Sequence, residues 1–164
     1  NVIDANTKAR AIKTAINNVY FALEGISKDM RMGNDYDCKP KLVDTFGGDC
    51  PTGGDAIKYR SSRAYSDQVT GQRKFAYYKF EGSQIWECLE KKETDDCNSP
   101  LAKYRPITSE GIFDEVTFYV LGTDSNETQP RMIMTINGKA GPTNKPKLQT
   151  LFDLQTSVSQ RIRQ

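Results

Sequence analysis

An α+β fold, with one long N-terminal helix packed on an antiparallel sheet, is predicted by three observations. Apolar residues recur at helical spacing from residue 2 to residue 30. Beyond residue 56 candidate strands follow, with alternation, the period of a strand, visible at Val116, Phe118 and Val120, at Met132, Met134 and Ile136, and at Phe152, Leu154, Thr156 and Val158. Between the two regimes lies a stretch rich in Gly, Asp and Pro. A length of 164 residues suits a single domain, with the helix over 1–32 and a loop-and-sheet head over 33–164.

The helix is read over residues 1 to about 31. Val2, Ala5, Ala9, Ile12, Ile16, Val19, Leu23, Ile26 and Met30 follow one another in alternating steps of three and four. Lys8, Lys13, Asn17, Lys28 and Asp29 fall off that stripe. Gly33-Asn34 is the expected stop, with Lys28 and Arg31 suited to the negative end of the helix dipole. A helix of this length spans about 45 Å, more than a small head can cover. The first half of the stripe is alanine-rich. Ile12, Ile16, Val19, Leu23 and Ile26 are bulkier and are expected to form the packing and assembly face. The strict heptad leaves a coiled coil as the alternative.

The stretch 33–55 is expected to be a long structured loop, with turns at Gly47-Gly48-Asp49 and Gly53-Gly54-Asp55. Strands are predicted at Ala56–Arg60, Arg73–Glu81, Gln84–Leu89, Glu115–Leu121, Arg131–Asn137 and Thr150–Arg161. Glu81-Gly82 marks a hairpin between the second and third of these. The helix is expected to cover one face of this meander, leaving the other face to solvent and loops.

Composition narrows the function. The chain has 23 Lys+Arg, 21 Asp+Glu and no histidine. A net charge of +2 lacks the strongly basic balance of a nucleic-acid-binding domain. Without histidine, Ser-His-Asp and Cys-His catalysis are excluded, and the commonest metal ligand is missing. No run of about 18 apolar residues is present to span a membrane as a helix.

Four cysteines stand at 38, 50, 88 and 97, with no C-x-x-C pair to suggest a zinc ribbon or a redox motif. They admit three connectivities or four free thiols. The sequential pairing, Cys38 with Cys50 and Cys88 with Cys97, is the one expected, and it implies an oxidising compartment.

Other constellations read as structural. Asp44, Asp49 and Asp55 beside the glycine turns offer hard oxygen ligands for calcium, but no D-x-D-x-D-G ladder accompanies them. No cofactor is expected, calcium being the only candidate. The acidic run Glu87, Glu90, Glu93, Asp95 and Asp96 reads as a solvated face rather than a pair of catalytic carboxylates. Arg60, Arg63, Arg73 and Lys74, interleaved with Tyr59, Tyr65, Tyr77 and Tyr78, combine charge and stacking surface suited to single-stranded DNA. Their simpler reading is the polar side of amphipathic strands. Asn126-Glu-Thr128 matches the glycosylation sequon.

The C-terminal third carries a resemblance. Glu115-Val-Thr-Phe-Tyr-Val-Leu-Gly122 is followed by Gln129-Pro-Arg-Met-Ile-Met-Thr-Ile-Asn-Gly138 and by Phe152-Asp-Leu-Gln-Thr-Ser-Val-Ser-Gln-Arg161. This succession resembles the minor pilins and pseudopilins of type IV pilus and type II secretion systems, in particular the J- and W-like prepilin-type proteins. Ala22-Leu-Glu-Gly-Ile-Ser-Lys-Asp-Met-Arg-Met-Gly33 is similar to the end of their long helix. The loops over 34–112 carry little of the likeness.

The resemblance implies a pilin-like fold and a structural, non-enzymatic subunit of a surface filament with no small-molecule substrate. Its partners would be other pilins, met through the N-terminal helix, and an inner-membrane assembly machinery. The full-length protein would be membrane-anchored before assembly and exposed at the cell surface afterwards. The family's opening signature (a basic leader, a cleavage site, and about 20 apolar residues) does not occur in these residues. The chain is therefore expected to be the soluble part, lacking the hydrophobic half of the helix. A second expectation is a binding head on the same fold, an adhesin or a DNA-uptake module using the Arg60–Lys74 patch.

Overall fold

The structure is a computed structural model and describes residues 2–38, 48–123, 128–141 and 146–161. One helix, α1 (Val2–Arg31), opens the chain. Nine strands follow among the described residues: β1 (Asn34–Asp37), β2 (Cys50–Gly54), β3 (Ala56–Arg60), β4 (Phe75–Glu81), β5 (Gln84–Leu89), β6 (Arg105–Pro106), β7 (Phe113–Leu121), β8 (Arg131–Ala140) and β9 (Thr150–Ser159). The fold is α+β, with every strand pairing antiparallel.

The strands form two sheets rather than the single meander expected. One has the order β1-β3-β4-β5-β6 and the other β2-β7-β8-β9. The stretch 33–55, read as loop, contributes an edge strand to each. Neither strand announces itself: Asn34, Asp35 and Asp37 in one, and Pro51, Gly53 and Gly54 in the other, are residue types poor in strands. Their pairing with β3 and β7, each with a shift of register, supplies what propensity does not. The two-residue β6, paired with Trp86 and Glu87, was not expected either, and the other strands fall where they are predicted, with ends displaced by a few residues.

The helix covers only part of a sheet face. It runs along β9 and β8, while β3 and β4 of the five-stranded sheet approach β7. The core between these layers joins Val19, Ile26 and Met30 of α1 to Ile57 and Tyr78 of one sheet and Phe118, Met134 and Ile136 of the other. The exposed side of the four-stranded sheet carries Glu115, Asn137 and Asp153, aligned across β7, β8 and β9.

Local signals mostly act as their chemistry suggests. At the β4–β5 hairpin, Gly82 (φ 59°) and Ser83 (φ 61°) both take the left-handed conformation that matches the twist of the strands. The helix ends at Arg31, just before Gly33, but the left-handed residue is Asp35 (φ 56°). Gly33 is required by proximity instead, because a Cβ there would lie 2.6 Å from the Tyr59 ring. The buried Tyr36 hydroxyl shares its proton between the carbonyls of Met30 and Gly33, both at 2.6 Å. It thereby ties β1 to the helix end, adding a second donor to the Met30 carbonyl, which also accepts the Gly33 N–H at 3.0 Å.

Both disulfides follow the sequential pairing, Cys38–Cys50 and Cys88–Cys97. The second packs beneath Phe75, Tyr77, Ala102 and Tyr104 as a small core of its own. Replacing both Cys88 and Cys97 by serine is expected to cost about 2–3 kcal/mol, the value for a loop of this size. Urea denaturation of the variant checks the figure, and an unchanged midpoint would show that the cluster holds without the bond.

Candidate functional site

The feature that sets the helix apart is its anchorage. The buried face of α1 is formed by Ala15, Val19, Ala22, Ile26 and Met30, joined by a charged residue, Asp29. Asp29 sits in the last turn and faces the five-stranded sheet. The Tyr59 hydroxyl donates to its Oδ2 at 2.7 Å, and the Ser61 hydroxyl to its Oδ1 at 2.8 Å. Arg63 Nη1 donates to Asp29 Oδ2 at 3.2 Å and to Glu87 Oε1 at 2.8 Å. Glu87, on β5, also accepts from the Tyr78 hydroxyl at 3.0 Å and from Arg105 Nε at 2.6 Å. Two buried carboxylates, two guanidinium groups and three hydroxyls thus form one network between helix and sheet. Every oxygen of both carboxylates has a donor, which is the condition for burying such charges.

Electrostatics follow from this arrangement. Burial, with the Tyr78 and Asp29 charges adding to it, pushes the Tyr59 hydroxyl well above its ordinary value, so it remains a donor. Burial also pushes the Glu87 carboxyl up, but the hydrogen bonds from Arg105, Arg63 and Tyr78 and the charge of Arg63 outweigh it and hold Glu87 below the usual carboxylate range. A carboxyl with a depressed folded value adds stability above its unfolded value, about 4.3 for Glu. That stability is lost as pH falls through the folded value. The protein is therefore expected to lose stability progressively below about pH 4, and Glu87→Gln to flatten that limb. Urea midpoints at neutral and acid pH check this, and the idea fails if both proteins lose the same stability on acidification.

The outward faces of α1 differ along its length. Residues 2–7 are all exposed, with Val2 at 84% and Ile3 at 72%. Further along, Tyr20 and Phe21 are also exposed. Of the predicted assembly residues, Val19 and Ile26 are buried in the head, Ile12 and Leu23 are half-buried, and Ile16 is 41% exposed. Ala15 takes the inward place expected for Ile16. Among the described residues no helix is long and apolar enough to cross a membrane.

The four basic residues singled out in the sequence are drawn into internal contacts. Arg60 donates to Asp35 at 2.9 Å and to the Arg73 carbonyl at 2.6 Å, and lies 4.6 Å above the Phe75 ring. Arg63 belongs to the network just described. Arg73 donates to the Ser62 carbonyl, and Lys74 to the carbonyls of Glu93 and Asp95. The sequence brings these side chains together, but as braces for the 61–74 segment. Tyr59 and Tyr78 are buried, so they present no stacking surface.

The acidic run divides, correcting its reading as one solvated face. Glu87 and Glu90 are buried, the latter accepting the backbone N–H groups of Phe75 and Cys97 at 3.1 and 3.0 Å. Glu93 and Asp96 remain exposed and Asp95 is half-buried. The signal for Glu87 was its phase, two residues after the buried Ile85 on the same side of a strand.

Asp49 accepts the Thr123 backbone N–H at 2.7 Å and its hydroxyl at 3.0 Å, and a backbone hydrogen bond from Gly122, followed by these contacts, holds its carboxyl below the usual range. Asp44, Gly47 and Asn126 lie outside the described residues. Among the described residues no cluster of three or more His, Cys, Asp or Glu is grouped as for a metal.

Comparison with family models, with curated proteins and with solved structures finds no match to this chain.

Proposed function

We propose that the chain is a structural subunit of a surface filament, of the minor pilin or pseudopilin kind, that assembles through its N-terminal helix and has no catalytic role. One observation carries the reading: a single 30-residue helix is fixed into the head over its second half and leaves its first turns exposed, apolar residues included. Exposed Val2 and Ile3, at the end of the helix that the head leaves uncovered, are suited to burial among neighbouring helices. The Asp29–Glu87 network supports the same reading. It fixes the direction of the helix relative to the head, so the helix can transmit position and load. Paired disulfides suit a head that works outside the reducing cytoplasm.

The test is fractionation of the producing cells. Antibody raised against the head is expected to detect the protein in the sheared filament fraction or in the membrane pool that feeds it. Recovery solely as free monomer in the culture medium would overturn the reading.

A further inference from the structure

A cleft of about 570 Å³ opens beside β5, where the segment leading into β6 diverges from it. That size lies within the range of ordinary ligand pockets. Lys91, Lys92, Lys103 and Arg105 line it. Arg105 is committed to Glu87. Lys91, Lys92 and Lys103 form no ion pair among the described residues. The lining carboxylates are already in use: Asp95 Oδ2 accepts the backbone N–H groups of Lys91 and Lys92 at 2.9 and 3.0 Å, and Asp96 Oδ1 accepts that of Asn98 at 2.8 Å. Those contacts hold the loop in shape without neutralising the carboxylates, so the lining, with Lys91, Lys92, Lys103 and Arg105 against Glu87, Asp95 and Asp96, keeps a net positive charge for an incoming anion.

Two further features say what kind of anion. The first is strand geometry. On the cleft side of β5, the Ile85 carbonyl accepts from Ile107 N–H at 2.9 Å, and Glu87 lies opposite Arg105. Bonding positions on one side of an antiparallel strand recur every second residue, so Leu89 is the next. There the facing segment has swung away and the cleft begins. The second is an apolar wall, with Leu89 and Ala102 in the lining beside Leu101, which is 88% exposed. A free ion uses neither feature.

We propose that this cleft binds an extended acidic peptide segment of a partner protein. The segment would add as a short strand to the uncovered end of β5, place carboxylates on Lys91, Lys92 and Lys103, and lay an apolar side chain on Leu101. The proposal stands apart from the helix and holds whether or not the chain is built into a filament.

The experiment is a titration of the isotope-labelled protein with the capped peptide Glu-Val-Glu-Val-Glu, following backbone amides by NMR at low salt. Saturable shifts confined to residues 89–92 and 101–105 are expected. The Gln-Val-Gln-Val-Gln peptide is expected to give none. Lys92→Glu with Lys103→Glu should weaken binding about tenfold, as expected for losing exposed charge pairs and gaining like-charge opposition. Both lysines are exposed, so the variant keeps the fold, and the two-peptide comparison needs no variant. Absent or scattered shifts would overturn the proposal. So would equal binding of a peptide methylated on its central backbone nitrogen, which cannot pair as a strand. Inorganic phosphate producing the same shifts at the same concentration would reduce the cleft to a simple anion site and overturn the peptide.

Discussion

Asp29→Ala is expected to remove about 3–4 kcal/mol of stability, the cost of breaking a buried pair by deleting one partner. The substitution takes away a single side chain but leaves several groups behind. The Tyr59 hydroxyl, on a fully buried residue, loses its acceptor, and so does that of buried Ser61. Each buried polar group left unsatisfied costs about 1–3 kcal/mol. Arg63 keeps Glu87, and its side chain is 41% exposed, so water moderates its share of the loss. Removing the desolvation cost of the aspartate itself offsets part of the total, which keeps the estimate below the sum. Asp29→Asn separates charge from shape. It keeps an acceptor for one hydroxyl and is expected to cost about half as much. Urea denaturation of both variants checks the order. Hydrogen exchange locates the damage: the last turns of α1 should lose protection before the centres of β7 and β8. A destabilisation below about 1 kcal/mol would show that the apolar seam alone fixes the helix.

The way the helix was legible, and the way it was not, has a geometric cause. A strict heptad stripe repeats every 3.5 residues, whereas a straight helix turns every 3.6, so the stripe drifts by about 20° per heptad. Over residues 15–30 the buried apolar positions are Ala15, Val19, Ala22, Ile26 and Met30, stepping by four, three, four and four. The stripe and the packed face coincide at Val19, Ile26 and Met30 and part company at Ile16, which rotates toward solvent, and at Leu23, where Ala22 is buried instead. Asp29 was assigned to the polar side for the same reason, although it adjoins Met30 on the face that packs. From residue 56 onward every strand but β6 was legible, and β7, β8 and β9 most clearly, because hydrophobic alternation is strong there. β1, β2 and β6 were not, since their residues acquire strand geometry only from a neighbour. Nor does sequence order show that Arg63 and Arg105, 42 positions apart in the numbering, converge on Glu87. Such convergence depends on the hairpin registers, which pair Tyr78 with Glu87 and Glu87 with Arg105.

Gly138→Ala is expected to cost about 3 kcal/mol, at the upper end of ordinary overpacking. Gly138 lies within β8, where a glycine weakens a strand unless something must approach closely. Here something does. A Cβ at this position would lie 2.4 Å from the Ile112 carbonyl oxygen and 2.6 Å from Cζ of Phe152. The carbonyl cannot retreat freely, because it accepts the Lys139 N–H at 2.8 Å. The register between β7 and β8 also shifts at this point, between Phe113 and Glu115, so the close approach belongs to an irregularity that turns the start of β7 onto its neighbour. Phe152 can rotate away only by leaving its place against the core. Gly25→Ala is the matched control, since a Cβ there meets nothing within 4 Å and the position is helical. Replacing that glycine is expected to stabilise by up to about 1 kcal/mol through helix propensity alone. Opposite signs for the two substitutions in thermal and urea denaturation would show that Gly138 is retained for contact with Ile112 and Phe152. A neutral Gly138→Ala would mean that β7 and β8 separate at the bulge without loss, and the rigid two-sheet packing described for the head would have to be relaxed there.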